Sequence, residues 1–316
     1  MGSPPCPVCR STRTRFRLRN RDFLFRTTDR YHDLFRCGDC GAGFLHPQPS
    51  DAELQAAYPS PYWWVTERAS RSLSARLETL YRETVLRHHV RVARSAMPTP
   101  PGPLLDVGCG SGTFLHVFRR RTGIAGVGLE TSPDAARCAR ERYGIDVRAG
   151  ELLETGYPGN TFSLITMFHV LEHLRDPVEG LSHLRPWLAP GGRLLLQVPN
   201  LDSLQFRLFG KRWTGIDIPR HLTGFTPAAL ERCLRRAGMR LVRLRHWSWR
   251  DDPAAAVSSL FPGLDPVALQ IRRNIRFALP RKFLYLVLVA AATPPAFLEA
   301  ASGKGATMFA TAEKAD

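Results

Sequence analysis

Two features that mark exported or membrane-spanning chains are missing from this sequence. Its first residues lack the basic and apolar regions of a secretory signal peptide. No uninterrupted apolar run reaches the roughly 20 residues that a transmembrane helix needs. We therefore expect a cytoplasmic protein without a membrane span. Internal repeats are absent, and lysine is scarce, so the positive charge is almost all arginine.

The composition indicates a globular, basic protein. Its 316 residues are enough for one large and one small domain, and a hydrophobic content of 44% excludes global disorder. The net charge of +16 favours an acidic partner such as nucleic acid, an anionic lipid surface or a phosphorylated substrate. Because the arginines are scattered, solvated basic faces explain the charge equally well.

The middle of the chain alternates short apolar runs with helical stretches, which predicts an α/β sheet with both faces covered. The predicted strands lie at about 103–107, 124–129, 145–149, 162–167, 191–198, 240–246 and 305–313. The predicted helices lie near 66–97, 113–121, 133–142, 176–188 and 227–237. We divide the chain into an N-terminal unit at 1–60, a helical linker at 61–100, a main domain at 101–249 with 305–316, and an insertion at 250–304.

A glycine-rich loop joins the first predicted strand of the main domain to a helix. Its glycines are Gly108, Gly110 and Gly112. They let the backbone approach a ligand, and the helix offers free N–H groups, so that a dinucleotide would fit as well. The acidic residues after the strands favour S-adenosylmethionine, since Asp106 suits its ammonium group and Glu130 its ribose hydroxyls. Glu151 and Leu152 follow the third strand, where the adenine would lie.

Several segments in the same order resemble the class I S-adenosylmethionine-dependent methyltransferases. Residues 104–115 resemble the cofactor loop of that family, 162–177 the segment after its fourth strand, and 188–196 the turn into its fifth strand. The resemblance implies a Rossmann-like, seven-stranded sheet with helices on both faces that binds S-adenosylmethionine. Glu151 departs from the family, in which aspartate is commoner at that position.

Four cysteines near the N-terminus form two Cys-x-x-Cys pairs separated by 27 residues. The pairs are Cys6 with Cys9 and Cys37 with Cys40. Four thiolates suit a tetrahedral structural Zn²⁺ with no position left for a substrate. This zinc-ribbon-like unit and residues 43–58 resemble the N-terminus of bacterial methyltransferases of glycan and natural-product pathways. The aromatic residues at 61–64 either cap the cofactor pocket or pack the zinc unit on the main domain.

Candidate catalytic groups follow the fourth and fifth strands of the main domain, because substrates bind at the carboxyl ends of the strands. His169 comes directly after the fourth strand, where it is either a catalytic residue or a packed one. Asp217 and His221 lie in the polar, proline-bounded segment 213–225, which resembles the same methyltransferases, and they are the candidate bases.

Glu172 and His173 are expected to serve helix packing. An alternative reading combines them with His169 and His221, a set that resembles the metal-binding arrangement of small-RNA 2′-O-methyltransferases. In those enzymes a glutamate usually stands at the position of His169.

The predicted insertion combines a basic stretch with an apolar one. Its basic residues are Arg272, Arg273, Arg276, Arg281 and Lys282, and an apolar run at 283–292 follows and ends at Thr293-Pro294-Pro295. Residues 272–299 either form a helical lid on the domain or contact an anionic membrane surface peripherally.

The leading interpretation is a methyltransferase that modifies the oxygen of a small-molecule, glycan or lipid-linked acceptor in a biosynthetic pathway. An RNA methyltransferase that uses the zinc unit and the basic surface, a sugar C-methyltransferase and a non-catalytic binding protein are the alternatives.

Overall fold

The computed structural model describes residues 3–58, 73–272 and 278–315. Among them the strands are β1 Thr14–Asn20, β2 His32–Cys37, β3 Gly43–Leu45, β4 Leu104–Val107, β5 Gly126–Glu130, β6 Val147–Ala149, β7 Phe162–Phe168, β8 Leu188–Pro199, β9 Thr223–Gly224, β10 Met239–Arg245 and β11 Thr307–Lys314. The helices are α1 Asp51–Ala57, α2 Leu73–Ala96, α3 Thr113–Thr122, α4 Pro133–Tyr143, α5 Pro177–Leu184, α6 Leu204–Phe209, α7 Pro227–Arg236, α8 Asp251–Leu260, α9 Pro266–Ile271 and α10 Ala278–Ala301. Single 3₁₀ turns lie at Leu171–His173, Arg185–Trp187, Gly210–Arg212 and Thr214–Ile216.

The main sheet has seven strands in the order β10-β11-β8-β7-β4-β5-β6. The strands from β8 to β6 are parallel, whereas β11 runs antiparallel to both β8 and β10. This topology confirms the predicted Rossmann-like α/β sheet. The chain connects outward in both directions from β4 and β7, so a crevice opens at their carboxyl ends, where ligands bind in such sheets.

Two apolar clusters cover the opposite faces of this sheet. In β4, Leu105 belongs to one cluster and Leu104 to the other, and Ile165 and Leu164 of β7 divide in the same way. Successive strand residues point to opposite faces, so both faces are buried and the strands read as continuous apolar runs. This continuity is the reason why the sequence predicted their positions closely.

Three helices around the sheet begin with the same sequence signal, a capping side chain followed by a proline. The cap accepts hydrogen bonds from the N–H groups of the first turn, and proline at the first helical position has no N–H to leave unpaired. The capping residues are Ser132 of α4, Asp176 of α5 and Thr226 of α7. The predicted starts of these helices are confirmed to within one residue.

A second, four-stranded sheet has the order β1-β2-β3-β9. Its last strand comes from the segment after β8, so that Gly43 of β3 pairs with Gly224 of β9. A Cβ on either glycine would overlap the side chain of Leu201. The two strands therefore approach the main domain closely because both positions lack a side chain.

A buried arginine links the N-terminal unit to the segment after β8. The side chain of Arg220 is inaccessible to solvent and forms bidentate ion pairs with Asp22 and with Asp217. It also donates to the carbonyl oxygen of Ala57 at 2.9 Å, and its guanidinium lies 4.6 Å from the ring centroid of Phe25. A desolvated guanidinium needs such partners on every side.

The insertion contains α8, α9 and the long helix α10. The apolar run of the sequence stops at Thr293-Pro294-Pro295, but the helix does not. It continues through both prolines to Ala301. Residues 290 and 291 are exposed, so water can reach the carbonyl groups that the prolines leave without a donor. By length and composition, Pro280–Ala301 is the one helix of the described chain that could cross a membrane, and 28% of its apolar window is buried. The expectation that no segment is long enough to span is therefore wrong.

Some predicted features lie outside the described residues. These are residues 66–72 of the predicted linker helix, the aromatic segment 61–64, and the side chains of Arg273 and Arg276.

We predict that Asp22→Ala destabilises the protein by about 3 kcal/mol, because it leaves one side of the buried guanidinium of Arg220 unpaired. The free energy of unfolding is measured by urea denaturation. The matched control is Asp29→Ala, which removes the exposed partner of Arg21 in the same unit and should change stability little. Equal effects of the two substitutions would contradict the importance of the buried pair.

Candidate functional site

The glycine-rich loop lies between β4 and α3, at the carboxyl edge of the main sheet. Gly108, Gly110 and Gly112 adopt φ values of 72°, 54° and 74°, which favour glycine. A Cβ at Gly108 would overlap Val170, and one at Gly112 would lie 2.8 Å from the Cβ of Ala139. A Cβ at Gly110 would meet no atom within 4 Å. The backbone at Gly110 is therefore the part of the loop that is open to a ligand.

Glu130, at the end of β5, fixes this loop. Its Oε2 accepts a hydrogen bond of 2.8 Å from the N–H of Gly110, and its Oε1 accepts one of 2.8 Å from Ser132. The side chain is buried. A carboxylate has further lone pairs, so Glu130 can still accept hydrogen bonds from the hydroxyl groups of a ligand beside Gly110.

Asp106 provides a second acidic group at the end of β4. Burial raises the pKa of this carboxyl to about 7, the hydrogen bond of 2.6 Å from Thr166 opposes the rise, and the charge of Glu130 adds to it. A ligand cation would remove this cost of a buried negative charge. Asp106 thus suits an ammonium group.

Glu151 and Leu152 follow β6. Glu151 is exposed as a whole. Partial desolvation of its carboxyl group, together with the charges of Glu154 and Glu130, raises the pKa of Glu151. Leu152 is buried in the apolar core. Of the two predicted adenine contacts, Glu151 is therefore exposed to solvent, whereas Leu152 is buried in the core. The acidic groups and the open backbone at Gly110 together fit S-adenosylmethionine.

His169 follows β7 with a left-handed φ of 56°, which is rare for a residue other than glycine and is frequent at functional sites. The neighbouring Val170 packs against Gly108, which brings His169 near the loop. Its Nδ1 lies 3.0 Å from Oε1 of Glu172 and its Nε2 lies 3.8 Å from Oδ2 of Asp251. Burial alone would lower the pKa of His169, but these carboxylates raise it to about 9.

His221 is held in one tautomer by its hydrogen bond to the backbone. Its Nδ1 lies 3.0 Å from the carbonyl oxygen of Gly215, and since a carbonyl only accepts, the proton is on Nδ1. In the neutral ring Nε2 then carries a lone pair. This atom lies 3.9 Å from Oε1 of Glu172 and 4.0 Å from Oδ2 of Asp217.

Asp217 is not an isolated carboxylate. Burial would raise its pKa, but the guanidinium of Arg220 holds the pKa below its usual value. The carboxylate is therefore charged and already occupied by two hydrogen bonds from Arg220. It faces His221 as a fixed negative charge.

A small cavity opens beside His221. Both polar and apolar side chains line this cavity. The lining residues include Leu34, Glu172, Leu201, Ile216, His221 and Thr223. Leu34 belongs to β2, so the N-terminal unit contributes to the wall of this cavity.

Glu172, His173 and His221 form a group of three possible metal ligands. Their donor atoms lie within 4.8 Å of one another, and Oε2 of Glu172 has no hydrogen-bond partner in the described residues. His173 is also bound through Nδ1 to the hydroxyl of Tyr58 at 2.8 Å, and burial lowers the pKa of His173 to about 4. The structure thus groups three of the four residues of the alternative metal reading, without His169, and it also gives each of the three protein contacts.

Asp251 is a residue of this site that the sequence did not reveal. It begins α8, and its Oδ2 accepts hydrogen bonds of 2.6 Å from Gln197 and from Ser248 while it faces His169. The available signal is the acidic pair Asp251-Asp252 soon after β10, at the carboxyl edge of the sheet. Because residues 250–304 were predicted to form an insertion, the position of Asp251 at the sheet edge was not expected.

The four N-terminal cysteines converge at a separate site. The Sγ atoms of Cys6 and Cys40 lie 3.7 Å apart, and those of Cys9 and Cys37 lie 3.5 Å apart. All four sulfur atoms lie within 4.8 Å of one another. Bonds of about 2.3 Å in a tetrahedral zinc site give sulfur separations of roughly 3.8 Å. The donor set therefore fits Zn²⁺.

A family model described as a methyltransferase domain matches residues 78–244, which is more than half of the chain. The chain is 30% identical over 135 residues to an uncharacterized 37.1 kDa protein in transposon TN4556 of Streptomyces fradiae, a match that covers 40% of this chain and 39% of that protein. It is 29% identical over 164 residues to a ubiquinone biosynthesis O-methyltransferase of Cereibacter sphaeroides, covering 46% of this chain and 66% of the relative. The chain thus spans about two fifths of the length of the first relative and about two thirds of the length of the second.

Among solved structures, the chain is similar to a methyltransferase in complex with the Haloferax volcanii Trm112 methyltransferase activator. The TM-score is 0.50 and the identity 18%, and the match covers 74% of this chain and 91% of that one. At this identity the likeness shows the fold alone.

We predict that Glu130→Gln weakens the binding of S-adenosylhomocysteine at least tenfold, because it removes a charged acceptor that faces the open backbone of Gly110. Isothermal titration calorimetry measures the affinity. Glu141→Gln, on an exposed position of α4, is the control and should bind like the wild type. Unchanged binding by Glu130→Gln would place the cofactor elsewhere.

Proposed function

The chain belongs to the class I S-adenosylmethionine-dependent methyltransferases, and we propose that it methylates a hydroxyl group of a small acceptor. The observation that carries this proposal is the position of His221. Its Nε2, the nitrogen that carries no proton in the neutral ring, borders a small cavity. From there Glu172 and His169 lead to Val170, which packs against the cofactor loop.

Asp106, Glu130 and the backbone at Gly110 would hold the cofactor. When bound, S-adenosylmethionine supplies a methyl group that its sulfonium already activates. The protein then has to orient the acceptor and accept its proton.

His221 is the general base in this proposal. Its Nε2 takes the proton of the acceptor hydroxyl, and the charges of Glu172 and Asp217, about 4 Å away, stabilise the imidazolium that results. His169 has a different role. Since its pKa is about 9, it is cationic at neutral pH and positions Glu172 through the hydrogen bond of 3.0 Å.

The polar and apolar groups that line the cavity support an acceptor that combines a hydroxyl group with an apolar part, such as a hydroxylated small molecule, a glycan unit or the headgroup of a lipid-linked intermediate. The similarity to ubiquinone biosynthesis O-methyltransferases supports oxygen as the acceptor atom. Methylation of a sugar carbon would need a base at the same place and remains the nearest variant.

An RNA acceptor is the second candidate function. The edge strand β1 exposes Arg15, Phe16 and Arg17, a combination of charge and aromatic surface that suits single-stranded RNA. The net charge of +16 also favours phosphate contacts. The mixed lining of the cavity supports the small acceptor instead.

We also propose that the four N-terminal cysteines bind one structural Zn²⁺. The sulfur separations support this assignment, and the ion would stabilise a unit with few buried apolar residues of its own. None of the seven cysteines forms a disulfide in the structure, which suits the reducing cytoplasm that we propose as the location.

Purified protein should contain one zinc per chain when it is measured by inductively coupled plasma mass spectrometry. Cys37→Ser should lose the metal and lower the midpoint of thermal unfolding by more than about 5 °C, because binding of the ion contributes directly to folding. Cys138→Ser lies outside the cluster and should retain both zinc and stability. Metal-free protein that unfolds like the wild type would overturn this assignment.

The function is tested with methyl-labelled S-adenosylmethionine and three acceptor pools: hydroxylated aromatic compounds, lipid-linked sugars and bulk RNA. We expect label in an ether of one of the first two pools. With that acceptor, His221→Ala should lower kcat by about 10² to 10⁴, because the proton has no acceptor, while binding of S-adenosylhomocysteine is retained.

The control variant is His46→Ala, an exposed histidine in the N-terminal unit, which should keep full activity. Labelling of RNA alone would favour the second candidate. Full activity of His221→Ala would remove His221 from the reaction.

A further inference from the structure

The outer side of α10 is an apolar surface that the rest of the described chain does not cover. Six large side chains on it are between 43% and 71% exposed. They are Phe283, Leu284, Leu286, Val287, Phe297 and Leu298. From Phe283 to Ala301 the one charged residue is Glu299, and it is buried. Monomeric soluble proteins rarely expose a continuous apolar surface of this extent, and such surfaces mark interaction sites.

The opposite side of α10 is fastened to the protein. The hydroxyl of Tyr285 lies 3.1 Å from Oγ of Ser258 on α8, and the carboxylate of Glu299 accepts hydrogen bonds from Gln205 on α6. The helix therefore has one face in the protein and one face outside along its whole length, roughly 36 Å for 24 residues. A helix held in this way can lie on a membrane but is not free to cross one.

Side chains at both ends of α8 extend the apolar surface. Because Ser258 contacts Tyr285, the exposed Phe261, three residues after Ser258, lies toward the first half of α10. Near its second half, Trp247 contacts both Phe297 and the half-exposed Trp249, with ring centroids 5.4 Å apart in each case. Tryptophan is enriched where proteins meet the interfacial region of a bilayer.

We propose that the outer face of α10 docks on an anionic membrane surface, with the helix lying parallel to that surface. Arg281 and Lys282 directly precede Phe283, so a basic edge adjoins the apolar face, as in helices that lie in the interfacial layer. The net charge of +16 attracts anionic lipids. The same charge opposes a second copy of the chain as the occupant, since two copies would repel each other.

The prolines of α10 agree with a shallow position. Pro294 and Pro295 cannot donate to the carbonyl groups one turn earlier, and these exposed groups need water or lipid headgroups as partners. In the hydrocarbon interior they would have none.

Docking would also orient the proposed acceptor cavity. Oγ of Ser259 on α8 accepts a hydrogen bond of 3.0 Å from the N–H of Thr214, in the segment that leads to His221. This contact places the segment that leads to the cavity next to α8, which packs against the docking helix α10. The membrane proposal itself rests on α10 and stands whether or not the acceptor is a small hydroxyl compound.

The test is co-sedimentation of the purified full chain with two kinds of vesicle, phosphatidylcholine alone and an equal mixture of phosphatidylcholine and phosphatidylglycerol. We expect binding to the anionic vesicles that falls as salt is added. The double variant Phe283→Glu/Leu298→Glu should bind at least tenfold more weakly, since it places two charges on the docking face. Lys282→Glu should weaken binding to the anionic vesicles less strongly.

The control is Phe16→Glu, which adds one negative charge at an exposed aromatic position of β1, away from α10. It should bind vesicles like the wild type. Circular dichroism melts and S-adenosylhomocysteine titration establish that each variant is folded, so that a loss of docking is distinguished from a failure of the cofactor site.

Three results would overturn the proposal. The first is equal vesicle binding by the wild type and the double variant. The second is concentration-dependent dimerisation that the double variant abolishes while the wild type ignores vesicles. The third is protein that resists alkaline carbonate extraction from anionic membranes, which would indicate a spanning helix.

Discussion

The buried guanidinium of Arg220 is the contact on which the rest of the site depends. It is shared between Asp22 of the N-terminal unit and Asp217 of the segment after β8, two residues far apart in sequence. Removing three charged groups from water is costly, so the arrangement persists only when all partners are in place. The backbone carbonyl oxygen of Arg220 also lies 3.0 Å from Nδ1 of His173. Through its side chain and its backbone, Arg220 therefore joins the N-terminal unit to the histidines beside the cavity.

Histidines in this protein show how surroundings decide the chemistry of one residue type. His169 lies between two carboxylates, which raise its pKa to about 9, whereas burial lowers the pKa of His173 to about 4. His221 is fixed as a single tautomer by the carbonyl of Gly215. A cation, a neutral packed ring and a ring whose Nδ1 is fixed by a backbone carbonyl thus lie around Glu172. No pattern in the sequence separates these three roles.

Much of the fold was predictable because its signals are local. Apolar runs gave the strands, and a capping residue followed by proline gave the starts of α4, α5 and α7. The ends of β4 and β5 gave the acidic groups of the cofactor site in the same way. What could not be predicted depends on distant contacts, such as Asp251 beside His169. The continuity of α10 through two prolines depends on solvent access to its backbone, which the sequence does not show.

The pairing of β3 with β9 makes the N-terminal four-cysteine unit part of the cavity wall. Leu34 of β2 lines the cavity, and the strand that completes its sheet comes from the segment that carries His221. The N-terminal unit and the main domain are thus not modules joined by a linker. The unit supplies part of the cavity wall, and the main domain supplies the last strand of the unit's sheet. Exchange of the N-terminal unit between related enzymes would therefore reshape the cavity beside His221 as well as replace the four cysteines. The shape of this cavity can thus change through residues that lie outside the main domain.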